Sequence, residues 1–286
     1  MDGVELRLEG FHRKNWHQGL QCILPGSSDA QKTFDNFYEN LSNAIGRRYL
    51  PVYRMADGEF LFCLGWRRPL STPDYKRFDF AREYYHGLRE KLRRLHGFGT
   101  MWGENYTLLE SIRGRRRLPN LVRAIAREGV LGLYFMRRGD LWGEEFILPM
   151  LKWFKRHDIE LTPKNYVPFY MVYAALSRGR ELLNGRRVLV ATGLTPERRA
   201  GIEAGLKRMG ARGVEFIDVS ANKSLFQPVS TERIAEPPDL VLVGAGIGSA
   251  NIIVQLSAVA APVIDAGIYI EGLIDPKRLE ERPFLA

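Results

Sequence analysis

The second half of the chain alternates short apolar runs with amphipathic stretches. Its apolar runs, which predict buried strands, are Arg186–Gly193, Val214–Ser220, Asp239–Gly246 and Pro262–Gly267. A helix that Thr195 caps and Gly210 ends is predicted after the first run, and another helix after the third. Continuous apolar strands that alternate with helices are typical of a parallel sheet with helices on both faces. Ligands of such sheets bind at the carboxyl ends of the strands.

The first half is less regular and richer in aromatic residues and arginine. Its pattern predicts helices over residues 29–45, 74–95, 118–129 and 143–157 and strands over residues 49–55 and 131–136. We therefore expect one large α/β domain with a Rossmann-like, mostly parallel sheet that both halves share. Residues 1–180 would form a helical N-terminal part, and residues 181–286 the Rossmann-like half.

Composition and charge limit the possible function classes. Hydrophobic residues make up 45% and charged residues 26%, as in globular proteins, and no apolar run has the length of a membrane span. Two cysteines and the lack of a Cys/His cluster indicate a reducing, cytoplasmic location without a structural zinc site. The net charge of +9 favours anionic partners. The basic segment 112–129 lacks interleaved aromatics, so nucleic acid is not expected, whereas peripheral contact with an anionic inner membrane face is a hypothesis.

The stretch RMADGEF, residues 54–60, places two carboxylates one residue apart after a predicted strand. In an extended segment Asp57 and Glu59 would point to the same side and repel each other unless a cation lay between them. Hard oxygen ligands select Mg²⁺ or Mn²⁺, which keep open positions for substrate phosphates. Gly58 would let a ligand approach closely, and Arg54 would hold a carboxylate or a phosphate oxygen. The alternative, which this short pattern favours by itself, is a tight turn with solvated acids.

A glycine turn follows the third predicted strand of the second half. Gly244, Gly246 and Gly248 open a helix at Ser249, and the backbone amides of such a turn can hold a phosphate. Asp265 would suit the ribose contact of the dinucleotide motif, although the third glycine of that motif is absent. The alternative is that small residues let the helix and the strand pack closely.

Two further polar segments carry candidate groups. Asn222, Lys223 and Ser224 follow a predicted strand, where Lys would suit a diphosphate and the other two would add hydrogen-bond donors. Glu104 is a candidate general base in a glycine-rich segment. The alternatives are a polar loop for the first segment and a capped helix start for the second.

The order of these segments resembles one family. A strand that leads into R-x-x-D-G-E, then a helical region, then GRRVLV, SANKSLF and PPDLVLVGAG with VIDAG is similar to the GT-D type glycosyltransferases. These are bacterial enzymes once catalogued as a domain of unknown function. The resemblance spans residues 41–272. The chain departs from the family at Ala56, where the family often has Gly, and the first forty residues match nothing in it.

The resemblance implies transfer of a sugar from a nucleotide-sugar, a UDP-sugar, to a glycan, glycoprotein or lipid-linked acceptor in polysaccharide biosynthesis. Asp57 and Glu59 would hold Mn²⁺ or Mg²⁺ against the diphosphate, directly or through water. Lys223 and the amides of the turn from Gly244 to Ser249 would hold the diphosphate or the nucleoside, and Glu104 or Asp140 would serve as the base. Two alternatives stay open: a methyltransferase or other nucleotide-binding enzyme that uses the glycine turn, and a non-catalytic binding protein.

Overall fold

The computed structural model describes residues 21–22, 30–65, 106–137, 141–220, 223–232 and 234–275. Its strands are β1 (Gln21–Cys22), β2 (Leu50–Met55), β3 (Val130–Leu133), β4 (Met136–Arg137), β5 (Tyr166–Pro168), β6 (Arg187–Thr192), β7 (Gly213–Asp218), β8 (Leu240–Gly244) and β9 (Pro262–Asp265). Its α-helices are α1 (Ala30–Ala44), α2 (Asp57–Cys63), α3 (Leu108–Glu128), α4 (Leu141–Arg156), α5 (Phe169–Ser177), α6 (Gly179–Leu183), α7 (Pro196–Arg208), α8 (Ser249–Gln255) and α9 (Tyr269–Ile274). A short 3₁₀ turn, Gly246–Gly248, precedes α8.

Seven of the described strands form one sheet in the order β5-β3-β2-β9-β8-β6-β7. Every neighbouring pair in this sheet is parallel. Strands β1 and β4 form a separate antiparallel pair. The predicted α/β fold with a mostly parallel sheet is thus confirmed, and strands from both halves of the chain share that sheet.

Two hydrophobic cores cover the two faces of the sheet. Face A is covered by α1, α5, α6, α7 and α9, and face B by α2, α3, α4 and α8. Alternate residues of β6 supply both cores, with Val188 and Val190 on face A and Leu189 and Ala191 on face B. This double burial explains why the strands are continuously apolar in sequence.

Several element predictions needed correction. Strand β3 ends at Leu133, and Met136 pairs with β1, so residues 131–136 are not one strand. Helix α3 begins at Leu108, ahead of the predicted start, because Thr107 and Glu110 form a capping box there. The helix predicted at 74–95 lies outside the described residues. None of the described helices is long and apolar enough to cross a bilayer.

Two neighbouring strands, β2 and the middle strand β9, create the setting of the candidate site. Helix α2 follows β2 onto face B, whereas α9 follows β9 onto face A. When the helices after two adjacent parallel strands leave on opposite faces, a crevice opens at the carboxyl ends of those strands. The D-G-E stretch begins at this point.

Candidate active site at the carboxyl edge of the sheet

A buried ion pair joins the ends of β2 and β9. The Arg54 Nε donates to the backbone oxygen of Asp265 at 2.8 Å, and Nη2 lies 3.4 Å from Asp265 Oδ1. The side chains are only 11% and 3% exposed. Tyr173 contributes a hydroxyl partner and a ring whose centroid lies 4.5 Å from the Arg54 guanidinium carbon. Gly267 has φ of +47°, and a Cβ there would lie 1.7 Å from Arg54 Nη2, so a side chain would displace the guanidinium.

Helix α2 starts immediately after β2 and contains both carboxylates of the D-G-E stretch. Ala56 is extended and precedes the helix, and its backbone N–H donates to Glu59 Oε2 at 2.9 Å. The prediction that Asp57 and Glu59 lie in an extended segment was therefore wrong. Residues two apart in a helix point in directions about 160° apart, so the two side chains leave on different sides. Glu59 caps the helix from within, which is the local reason the strand ends here.

Negative charge exceeds positive charge in this buried cluster. Burial, and then the charge of Asp265, raises the pKa of Glu59 to about 7, although Arg54 acts in the opposite direction. Burial also raises the pKa of Asp265 against the lowering effect of Arg54. One guanidinium thus faces two carboxylates, and a proton on Glu59 or an added cation would balance them.

The carboxylates of the D-G-E stretch fit a cation site that substrate phosphates and water would complete. The described residues contain no group of three or more His, Cys, Asp or Glu side chains that could hold a metal ion. Mg²⁺ is commonly bound through one or two carboxylates together with substrate phosphates and water. Asp57 is partly exposed beside Gly58, where an added Cβ would meet nothing within 4 Å. Asp57 therefore lies at a position where an ion could be held together with substrate groups, and Glu59 accepts the Ala56 N–H through Oε2.

The glycine turn after β8 is closely packed. A Cβ on Gly244 would lie 2.7 Å from Ile270 Cδ1, and one on Gly248 would lie 2.0 Å from Ser224 Oγ. Gly246 has φ of +54°, which residues with a side chain rarely adopt. These contacts agree with the alternative in which small residues permit close packing, and the phosphate-binding role of the turn stays a prediction.

Ser249, at the start of α8, is fully buried and bonded to protein groups. Its Oγ donates to Asp265 Oδ1 at 3.2 Å and accepts from the Ala245 N–H at 3.3 Å. Asp265 itself is 2% exposed, so it is placed to hold Arg54 and not to reach a ribose. The hypothesis of a ribose contact through Asp265 is corrected accordingly.

The loop after β7 returns to the same edge of the sheet. Lys223 is exposed, whereas Ser224 is buried and its Oγ donates to the Ala245 carbonyl at 2.9 Å. Tyr106 supports the loop, because its hydroxyl lies 3.2 Å from Ser224 Oγ and accepts from the Leu225 N–H at 3.1 Å. The loop therefore presents Lys223 to solvent beside the glycine turn and uses Ser224 as its internal anchor.

Asn251, whose role the sequence did not predict, anchors the loop after β7 through hydrogen bonds to its backbone. Its Nδ2 donates to the carbonyls of Ser224 at 2.7 Å and Gln227 at 2.9 Å. Its Oδ1 accepts from Arg117 Nη2 at 2.7 Å, which links the loop to α3. The available signal was a polar residue inside the apolar helix SANIIVQ, since a buried amide requires partners.

The structure brings most of the sequence candidates to one edge of the sheet. Arg54, Asp57, Gly58 and Glu59 follow or end β2, and the glycine turn and the Lys223 loop lie at the end of β8. Asn222, Glu104 and Asp140 lie outside the described residues, so their roles stay predictions.

Comparisons with known proteins gave two structural neighbours. No protein-family model and no curated protein sequence matches the chain. One similar solved structure is described as the selenomethionine-substituted structure of domain of unknown function 1792, with a TM-score of 0.41. The other is described with the words "the highly conserved domain of unknown function 1792 has a distinct glycosyltransferase fold", with a TM-score of 0.45. Each is 14% identical, over 83% of this chain and 86% of the other.

Both neighbours are described as domain of unknown function 1792, and one description names a glycosyltransferase fold. Their identity and TM-scores are too low to assign a role to any residue of this chain. The roles of individual residues therefore rest on the geometry of the candidate site and on the motif order.

Proposed function

We propose that this protein is a glycosyltransferase that moves a sugar from a UDP-sugar donor to a glycan, glycoprotein or lipid-linked acceptor with the help of Mn²⁺ or Mg²⁺. The observation that carries the proposal is the position of the D-G-E stretch. It starts a helix directly after strand β2, at the crevice between β2 and β9, and the buried Arg54–Asp265 pair lies at the start of that helix. The motif order of the chain supports the same activity.

The chemistry of sugar transfer agrees with the charges at this edge. Breaking the anomeric bond passes through an oxocarbenium-like state and leaves negative charge on the nucleoside diphosphate. A bound divalent ion would supply Lewis-acid stabilisation of that charge. Asp57 would hold the ion, Gly58 would leave room for the phosphates, and Lys223 would contact a phosphate oxygen from the neighbouring loop.

In this proposal Glu59 acts through position and charge. Its carboxylate fixes the first turn of α2, which carries Asp57, through the bond from the Ala56 N–H. Glu59 and Asp265 together also keep the crevice negative, which favours cation binding there. Arg54 would then be a positioning residue for both carboxylates and not a phosphate ligand.

A nucleotide-binding assay on the Asp57→Asn variant tests the proposal. The unfolding temperature would be measured with UDP and a panel of UDP-sugars, with and without Mn²⁺, and UDP release would be measured in parallel. We expect Mn²⁺-dependent stabilisation by UDP in the native protein and its loss in Asp57→Asn, because the variant keeps the side-chain shape but loses the charge. Glu160→Gln, which neutralises an exposed carboxylate after α4, is the matched control.

Two results would contradict the proposal. One is an Mn²⁺-dependent UDP response that Asp57→Asn leaves intact. The other is stabilisation by S-adenosylmethionine or NAD with no response to any nucleoside diphosphate, which would favour the alternative nucleotide-binding enzyme.

A further inference from the structure

Helix α3 carries a line of cations on its outer side. Its inner side is buried against face B through Leu118, Val122 and Ile125. The outward exposed positions include a leucine, which is 56% exposed, and three arginines; they are Leu109, Arg113, Arg116 and Arg127. These positions recur every three to four residues or after whole turns, so they lie along one outward stripe.

Helix α4 repeats the same combination of leucines and cations. Phe146, Met150 and Phe154 bury its inner side in the same core. Its outer side exposes Leu148 by 66% and Leu151 by 41%. Lys152, Lys155 and Arg156 are exposed on the following turns.

The two outer stripes belong to one surface. Both helices pack on face B, and both run from the carboxyl edge of the sheet towards its amino edge. Arg123 of α3 donates through Nε to the His157 carbonyl at the end of α4, at 3.0 Å. The described side chains of the two helices include two acids, Glu110 and Glu128, and Glu110 is bonded to Thr107 in the helix cap. Among the described side chains, the outward face of α3 and α4, called here the basic face, therefore carries more cations than acids, together with exposed leucines.

We propose that the basic face docks the protein on an anionic phospholipid bilayer. Lysines and arginines near an anionic surface each add to the attraction, and exposed leucines between them insert into the headgroup region. Charge complementarity and the interleaved leucines both fit this partner. Helix α2 contacts both α3 and α4 at the carboxyl edge, so docking would bring the candidate site close to the membrane surface.

The same face fits nucleic acid less well. Proteins that bind single strands stack bases on exposed aromatic side chains. Helix α3 contains no aromatic residue, and the described aromatic residues of α4, Phe146, Trp153 and Phe154, are buried. Exposed leucines have no role in contacts with phosphate groups, whereas a bilayer accommodates them.

Vesicle flotation tests the proposal with the full-length protein. The probes are phosphatidylcholine vesicles with and without phosphatidylglycerol, at low and rising salt. The charge variant is R113Q/R116Q/K152Q/K155Q, and the apolar variant is L148Q/L151Q. The matched control removes four exposed cations elsewhere: R47Q/R180Q/R186Q/K207Q. Circular dichroism and the unfolding temperature show that each variant is folded.

We expect the native protein to float with the phosphatidylglycerol vesicles and to detach as salt rises. Each removed charge lowers partitioning about fivefold, so the charge variant should bind several hundredfold more weakly, on the order expected for four cations at a surface. The apolar variant should lose about tenfold or more. The control should lose far less than the charge variant.

Three results would overturn the proposal. The first is no flotation of the native protein at low salt. The second is an equal loss in the charge variant and the control, which would mean that only net charge matters. The third is binding of a single-stranded oligonucleotide, measured by fluorescence anisotropy, in the absence of vesicle binding.

Discussion

Replacing Arg54 by Met tests the buried ion pair that joins β2 and β9. Met keeps most of the stem of the side chain but removes the guanidinium, which leaves Asp265, 3% exposed, and Glu59 without a positive partner. Removing one member of a buried pair typically costs about 3–5 kcal/mol of unfolding free energy. We expect a loss in this range near neutral pH, measured by urea unfolding in the presence of a chelator.

The pH dependence of this loss gives a second test. Burial already raises the pKa of Asp265, and removal of Arg54 takes away an effect that lowers it. A group whose pKa is raised on folding contributes stability that is present below its unfolded pKa and is lost as pH rises through its folded pKa. The destabilisation by Arg54→Met should therefore be small at acidic pH and grow as pH rises.

A double-mutant cycle with Asp265→Asn separates the pair from its surroundings. Asn removes the charge and keeps one acceptor oxygen, which can take the Arg54 backbone N–H in place of Asp265 Oδ2. Its NH2 group replaces Oδ1 and would donate to Ser249 Oγ, which reverses the direction of that hydrogen bond. The double variant should lose less than the sum of the two single losses, because no unpaired charge at Asp265 remains. A loss below about 1 kcal/mol for Arg54→Met, a loss independent of pH, or additive losses in the cycle would refute the reasoning.

Two further predictions concern glycines and the acidic cluster. Gly248→Ala should destabilise the protein by about 1–3 kcal/mol, because its Cβ would lie 2.0 Å from Ser224 Oγ. Gly58→Ala, whose Cβ would meet nothing within 4 Å, should stabilise the protein by up to about 1 kcal/mol. Urea unfolding of both variants measures these changes, and equal effects would contradict the prediction. Because the pKa of Glu59 is raised to about 7 in the folded protein, the metal-free native protein should lose stability as pH rises from about 4 to about 7. The loss is at most about 3 kcal/mol, and solvent contact of the half-buried Glu59 side chain reduces it. Glu59→Gln should flatten this dependence in unfolding curves across that range, and an unchanged slope would show that another group causes it.

The sequence predicted those strands and helices whose signal lies within the element itself. Strand β6 is apolar at consecutive positions because both faces of the sheet are covered, and α7 shows its start in Thr195 and Pro196. Helix α5 escaped prediction for the opposite reason. Its segment, FYMVYAALS, is buried on all sides from Phe169 to Leu176, so it has no polar face to reveal a helical period.

The candidate site was only partly predictable because its contacts are distant in sequence. The D-G-E stretch could be found in the sequence, but the extended geometry considered for it was wrong. The hydrogen bond from the Ala56 N–H to Glu59, three residues later, starts a helix there. Arg54 and Asp265 are 211 positions apart, and the residues around either one do not indicate that the two form a pair. The glycine turn could be located, yet its close approach to Ser224 depends on how a separate loop folds back.

The position of β9 in the sheet has a consequence for biogenesis. Among the seven parallel strands it is the last in chain order, yet it lies in the middle, between β2 and β8. During synthesis on the ribosome, the β2–β3–β5 group and the β8–β6–β7 group each carry an open edge until residues 262–265 emerge. Open edges pair with other chains, so the nascent protein is exposed to aggregation until that final step. The same step supplies Asp265 to Arg54, so the two groups join and the site is assembled in one late event.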